Sequence, residues 1–213
     1  MADIAGGTLH LKHGARMPRI GLGTWPMDDT EAERVIADAI AGGYRLFDTA
    51  ENYGNERGVG AGVRASGIDR GDVFLTSKFN REWHSVVGVA EAFERSLERL
   101  GTDYLDLFLI HWPNPDQDRY VEAWEGLVRL LEAEAVRAIG VSNFTPAYLT
   151  RIIDATSVTP DVNQVQLNPR WTQPATREFD EAHGIVTQSW SPLGQGNDLL
   201  TSPEVLAAAE REG

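Results

Sequence analysis

The sequence contains no cysteine, which excludes a disulfide framework, a thiolate metal site and a cysteine nucleophile. It has no apolar run of about 18 residues, the length a membrane span requires. Its start, MADIAGGTLHLKHG, lacks a basic segment followed by an apolar core. Neither export nor a membrane anchor is expected on this reading, and a cytoplasmic location is the default. Cations are scarce: 19 Lys and Arg stand against 32 Asp and Glu, a net charge of −13. That balance argues against nucleic acid or an anionic membrane surface as partner, since both demand a positive field. Internal repeats, low-complexity tracts and domain linkers are missing too. What remains, 42% hydrophobic and 24% charged residues, is too apolar for a disordered chain and sufficient for one sizeable core.

Seven apolar segments rich in β-branched or aromatic residues read as strands: 19–23, 45–48, 73–78, 104–111, 138–142, 162–166 and 185–188. Their starts lie 23 to 34 residues apart, the length of a βα unit rather than of a hairpin. Helical stripes fill the intervals. After the candidate N-caps Asp29 and Thr30, the residues Ala32, Val35, Ile36, Ala39 and Ile40 repeat on one helical face, and Gly42 and Gly43 supply a stop. Val86, Val89, Phe93, Leu97 and Leu100 form a second stripe, and Tyr120, Ala123, Trp124, Leu127, Val128 and Leu131 a third, which places Trp124 in the core. Strands such as YLDLFLI are apolar on both faces, as a parallel sheet covered by helices requires.

Regular βα succession leaves an open doubly wound sheet or a closed (β/α)8 barrel. The early glycines of IGLGTW, Gly21 and Gly23, lack the third glycine and the distant acidic residue of a dinucleotide-binding turn. That favours the barrel. Such a barrel has eight strands over about 250 residues, whereas seven are legible here, followed by a helix over 203–211. The expectation is one incomplete barrel domain over residues 1–213, lacking the eighth strand and final helices, with two unpaired sheet edges.

Functional groups of such barrels collect where strands end. Asp48, Lys78 and His111 interrupt apolar strands two, three and four at those ends, and Tyr53 follows in the loop TAENYGNE. Taken singly each has a plain structural reading: a turn cap, a solvated strand terminus, a core histidine, a loop ring. Together they compose an acid site. A phenol is a poor acid near neutrality, and the Lys78 ammonium would lower the Tyr53 pKa by stabilising its phenolate. Asp48 would hold that ammonium in place, and a neutral His111 would hydrogen-bond a substrate oxygen. The chemistry indicated is carbonyl reduction. A lysine standing among Asp48, Glu51 and His111 argues against a metal there.

The stretches PRIGLGTW, FDTAENYGNE, FLTSK, YLDLFLIHWP, AIGVSNF, VNQVQLNP and QSWSPLGQG resemble the aldo-keto reductases in order and spacing. The likeness is to the bacterial branch that includes 2,5-diketo-gluconate reductases. The resemblance implies a barrel enzyme reducing an aldehyde or ketone with NADPH. It implies Asp48, Tyr53, Lys78 and His111 as the catalytic set, with Tyr53 as general acid. It further implies that Ser142, Asn143 and Gln164 hold the nicotinamide carboxamide, that Trp190 stacks on its ring, and that Ser191, Leu193 and Gly194 pass over the pyrophosphate. Thr24 is also expected among the cofactor contacts. Trp25, Trp83 and Trp112, in three different loops, are expected to wall the substrate pocket together with His111. Members of the family continue through an eighth strand and a segment that grips the 2′-phosphate of NADPH, so weak cofactor binding is expected of this chain.

The partner expected is a small carbonyl compound, with the chain acting as a monomer. Two competing readings stand beside this one: a Schiff-base aldolase using Lys78, and a non-catalytic, truncated relative that binds cofactor without turnover.

Overall fold

Alternation of apolar strands and striped helices produces a parallel barrel in the computed structural model, which describes residues 7–212. Residues 1–6, part of the stretch on which the expectation of no export signal rests, and Gly213 lie outside the described residues. A short hairpin, β1 (Thr8–His10) and β2 (Arg16–Pro18), precedes the barrel. The barrel strands are β3 (Leu22–Gly23), β4 (Leu46–Asp48), β5 (Phe74–Phe79), β6 (Leu107–Ile110), β7 (Ile139–Ser142), β8 (Val162–Gln166) and β9 (Val186–Trp190). The helices are α1 (Asp29–Ala41), α2 (Glu56–Ala65), α3 (Val86–Leu100), α4 (Tyr120–Glu132), α5 (Pro146–Thr156), α6 (Pro174–His183) and α7 (Pro203–Glu212). Strands β3 to β9 form one sheet in sequence order, every neighbour parallel. Among the described residues none pairs β3 with β9, so the barrel is open along that seam, as expected from seven strands.

Strands β5 to β8 bury both faces, and the two faces feed different cores. On β6, Phe108 and Ile110 join the large cluster between sheet and helices, where Trp124 is fully buried, as its stripe predicts. Leu107 and Leu109 instead join Leu46, Phe74, Ala138 and Val162 inside the barrel. Leu11 and Met17 of the hairpin belong to this inner cluster, so the hairpin plugs the bottom of the barrel. Buried Asp161 pins it, accepting from the His13 backbone N–H at 2.9 Å and from Ile139 N at 3.0 Å, with His13 Nδ1 at 2.9 Å.

Several boundaries correct the sequence reading. The N-cap of α1 is Asp28, whose carboxylate accepts from Glu31 N at 2.8 Å, whereas Asp29 turns to accept from Gly58 N at 2.6 Å. The fourth expected strand, 104–111, shrinks to Leu107–Ile110, because Asp106 uses its side chain on the neighbouring backbone, accepting from Leu75 N at 2.9 Å. The first shrinks to two residues. The hairpin and the helices α2, α5 and α6 were not read from the sequence. In α2 the pattern ERGVGAGVRA places glycines where α1 and α3 come close: a Cβ on Gly60 would lie 1.8 Å from Leu100 O. Helix α7 forms over the segment expected.

Candidate active site

Strand β4 ends at Asp48 and passes into a single 3-10 turn, Glu51–Tyr53, closed by Gly54 in the left-handed region at φ 70°, a conformation that favours glycine. This turn swings Tyr53 back over the end of β5. There Lys78 is fully buried, and its ammonium donates to Asp48 Oδ1 in a short ion pair, to Thr49 O at 2.9 Å and to Tyr53 Oη at 3.3 Å. An ammonium has three donors, and all three are engaged. Burial alone would push the Lys78 pKa down, but the Asp48 carboxylate and Tyr53 beside it hold it above the ordinary lysine value, so the ammonium stays charged. A nucleophilic, neutral lysine of the Schiff-base type does not fit this setting.

Tyr53 departs from the sequence reading in one respect. Burial raises its pKa, and Lys78 offsets only part of that rise, with Asp48 opposing it. The net direction is upward, so the phenol is protonated near neutrality and its proton is available to a substrate.

His111 follows β6, its backbone N–H donating to Phe79 O at 3.1 Å. Its ring meets Tyr53 edge to face at 5.7 Å. Burial first, then the Lys78 charge, drive its pKa down to about 3, so the imidazole is neutral. Nδ1 is buried without a hydrogen-bond partner among the described residues. Orphaned buried N–H groups are rarer than under-used acceptors, which favours the proton on Nε2, the donor-capable atom left for a ligand.

These groups border a cavity of about 950 Å³ that runs from the hairpin to the barrel mouth along the open seam. Thr24, Trp25, Asp48, Tyr53, His111, Trp112, Ser142, Asn143, Gln164, Trp190, Ser191 and Leu193 line it. Lys78 lies beneath its wall. Ser142 Oγ donates to Gln164 O at 2.9 Å and accepts from Asn143 Nδ2 at 3.0 Å, while Asn143 Oδ1 accepts from Trp190 Nε1 at 3.0 Å. Gln164 Nε2 donates to Asp48 Oδ2 at 2.7 Å, linking this polar strand-end row to the acid site. The Thr24 hydroxyl is committed to Asp48 O at 3.1 Å and Asn55 Oδ1 at 3.3 Å.

Two expected residues stand apart. Gly194 is not in the lining; at φ 80° it forms a turn whose Cβ position is filled by Asn197 Oδ1 at 2.3 Å. Trp83 does not wall the cavity either, because its indole N–H is drawn away to Glu51, 3.0 and 2.8 Å from the two carboxylate oxygens. Sequence reasoning missed Asn55 and Gln188. Buried Asn55 ties the Thr24 and Met27 carbonyls to the β4 end through Nδ2 at 3.0 and 2.8 Å. Gln188 accepts from Gln164 Nε2 at 2.8 Å; a polar residue alternating with Trp190 on the last strand was the available signal.

Comparison with known proteins agrees with this fold. The model of the Aldo/keto reductase family matches residues 19–203. A protein named 2,5-diketo-D-gluconic acid reductase B, from Corynebacterium sp. (strain SHS752001), is 46% identical over 194 residues, which are 91% of this chain and 70% of that one. Among solved structures, an aldo/keto reductase from Brucella melitensis superposes with a TM-score of 0.91 at 43% identity, over 96% of this chain and 79% of the other. A mutant of Gox0644 solved in complex with NADPH superposes with a TM-score of 0.90 at 42% identity, over 96% of this chain and 74% of that one. No helix among the described residues is long and apolar enough to cross a membrane. With the family model spanning most of its length and a barrel of the same build, this chain belongs to the aldo/keto reductase family.

Proposed function

We propose that the protein reduces an aldehyde or ketone to the alcohol, with NADPH as hydride donor and Tyr53 as proton donor. The observation that carries this reading is the stack of Asp48, Lys78 and Tyr53, in which a buried ammonium, kept charged by Asp48, sits 3.3 Å from a neutral phenol at the cavity wall. A reductase acid must give up its proton as negative charge grows on the carbonyl oxygen, and the nearby ammonium stabilises the phenolate left behind.

The residues present fit the nicotinamide end of the cofactor. Gln164 keeps its carbonyl oxygen, and Ser142 a second lone pair, beyond the hydrogen bonds they make among the described residues; both suit the N–H donors of a carboxamide. Trp190, with its indole N–H fixed on Asn143, offers a ring on the cavity wall. The related Gox0644 structure holds NADPH, which supports the choice of cofactor.

When bound, the dihydronicotinamide supplies a hydride to the carbonyl carbon. The chain does the rest. His111 Nε2–H orients the carbonyl oxygen by a hydrogen bond and, being neutral, does not compete as the acid. Tyr53 passes its phenolic proton to that oxygen, Lys78 holds the resulting phenolate, and Asp48 keeps Lys78 charged. Trp25 and Trp112 flank the mouth, at 5.3 Å from the Tyr53 ring and 6.5 Å from the His111 ring, and shield the transfer from water. The product alcohol leaves as solvent reprotonates Tyr53.

The test is consumption of NADPH on addition of a small aldehyde, with alcohol formed in equal amount. NADPH binding without consumption at saturating aldehyde would support the non-catalytic alternative. A borohydride-trapped adduct on Lys78 with a keto compound and no NADPH would support the aldolase alternative.

A further inference from the structure

Trp83 is held where a substrate wall has no use for it, and its hydrogen bond points to another role. The turn that carries Tyr53 is only three residues long, and its internal bonds, Tyr53 N to Ala50 O at 3.1 Å and Gly54 N to Glu51 O at 3.2 Å, fix its shape but not its place against the barrel. Its first residue, Glu51, supplies that anchor. Both Glu51 oxygens take the Trp83 indole N–H, and Arg99 approaches Oε1 at 3.9 Å. Trp83 itself ends the 3-10 turn Arg81–Trp83 that follows β5, and the Arg95 guanidinium lies 4.7 Å from its ring centroid. Arg95 and Arg99 are one helical turn apart on α3, so one helix face steadies both the indole and the carboxylate.

The same face also reaches Lys78. Arg99 Nε donates to Glu56 at 2.5 Å, and Glu56, buried, accepts from Ser77 Oγ at 2.6 Å. Ser77 is the residue before Lys78 on β5. Two arms therefore leave α3, one through Trp83 and Glu51 to the Tyr53 turn, the other through Arg99, Glu56 and Ser77 to the lysine strand. The distance between phenol and ammonium is closed by a loop of hydrogen bonds, an ion pair and a cation–π contact behind the site as well as by their own contact. Burial raises the Glu51 pKa while the Trp83 bond lowers it, so losing the indole removes a donor from a desolvated carboxylate.

We infer that Trp83, acting through Glu51, is a positioning residue that sets the distance between Tyr53 and Lys78. This inference rests on the role proposed above for Tyr53. Removing the anchor lets the turn drift, the Lys78 charge then lowers the phenol pKa less, and proton transfer slows without loss of cofactor affinity. The charged and titratable groups facing the phenol are Lys78 from β5, Asp48 from β4 and His111 after β6, and none is altered by the test.

The experiment labels the tyrosines with a fluorinated tyrosine, whose phenol titrates nearer neutrality, and follows Tyr53 by ¹⁹F NMR, its signal assigned with Tyr53→Phe. Trp83→Phe keeps an aromatic ring beside Arg95 and deletes the N–H donor together with part of the indole. The expected result is a Tyr53 titration shifted upward by about half a unit or more, with kcat down about tenfold and KM within about twofold. Glu51→Ala should reproduce both effects, Glu51→Gln, which keeps an acceptor oxygen, should restore most of them, and Trp83→Phe with Glu51→Ala should be no worse than either alone. An unshifted Tyr53 titration in Trp83→Phe and Glu51→Ala, or single effects that add, would overturn the inference, whatever happens to melting temperature. Should Trp83→Phe not fold, the Glu51→Ala and Glu51→Gln pair decides. The titration requires no turnover, so a chain that fails to consume NADPH would refute the proposed reaction while leaving this inference to its own result.

Discussion

Asp48→Asn keeps the size of the side chain and one acceptor oxygen but removes the charge that holds Lys78. The lysine side chain has no exposed surface, so water cannot take the place of the carboxylate, and the remaining acceptors, Thr49 O at 2.9 Å and Tyr53 Oη at 3.3 Å, are neutral. Breaking a buried pair by removing one partner costs about 3 to 5 kcal/mol. Part of this is recoverable, because without Asp48 the burial that opposes the Lys78 charge goes unanswered and the ammonium can shed its proton, each pKa unit being about 1.4 kcal/mol. The lower end is therefore expected at neutral pH, about 3 kcal/mol, or roughly 6 to 12 °C in melting temperature for a chain of this size. The assay is urea unfolding of the parent, Asp48→Asn, Lys78→Met and the double variant at several pH values. Removing both partners should cost less than removing Asp48 alone, and the Asp48→Asn penalty should shrink as pH rises. A penalty below about 1 kcal/mol, the range of exposed pairs, or a double variant as unstable as the sum of the singles, would refute the claim that Lys78 is charged and dry.

Two further outcomes follow from other parts of the fold. His84 is buried beside Phe79 with neither ring nitrogen bonded among the described residues, and burial, then Arg119 and Arg81, hold its pKa down to about 4 from 6.5. Its folded value lies below its unfolded one, so its contribution to stability is complete above pH 6.5 and is lost as pH falls toward 4; His84→Leu should flatten that limb of the stability profile, and an unchanged slope would contradict the assignment. Gly60→Ala would set a Cβ 1.8 Å from Leu100 O and should destabilise by at least about 3 kcal/mol, while Gly71→Ala, where nothing lies within 4 Å, should stay within about 0.5 kcal/mol; equal melting temperatures would refute the packing argument.

Asp48, Lys78 and His111 were legible because a polar residue closing an apolar strand is a local signal, and the barrel brings such strand ends together. Strand β8 was legible to its last residue, Gln166, since its valines stand between the turn residues Pro160 and Asp161 on one side and Asn168 and Pro169 on the other. Helix α2 was not, because its three interior glycines argue against a helix locally and are explained only by the close approach of α1 and α3. The hairpin escaped as two three-residue strands, too short for a periodicity to show. Trp83 was read onto the cavity from its loop alone. Loop membership does not say which way a ring turns, and the partner that turns it, Glu51, comes from a different βα connection. The net direction of the Tyr53 pKa was not legible for a similar reason: the lysine that lowers it is visible in sequence, the burial that outweighs it is not.

The central claim is that Tyr53 donates the proton in carbonyl reduction at this site. Tyr53→Phe removes one hydroxyl whose hydrogen bond is to Lys78 and leaves Ser142, Asn143, Gln164 and Trp190 in place. The decisive measurement is single-turnover NADPH oxidation with a small aldehyde on this variant and the parent, alongside an NADPH binding titration. The account predicts binding within about twofold of the parent and a chemical step slower by about 10² to 10⁴. A Tyr53→Phe variant that reduces the aldehyde as fast as the parent would contradict it.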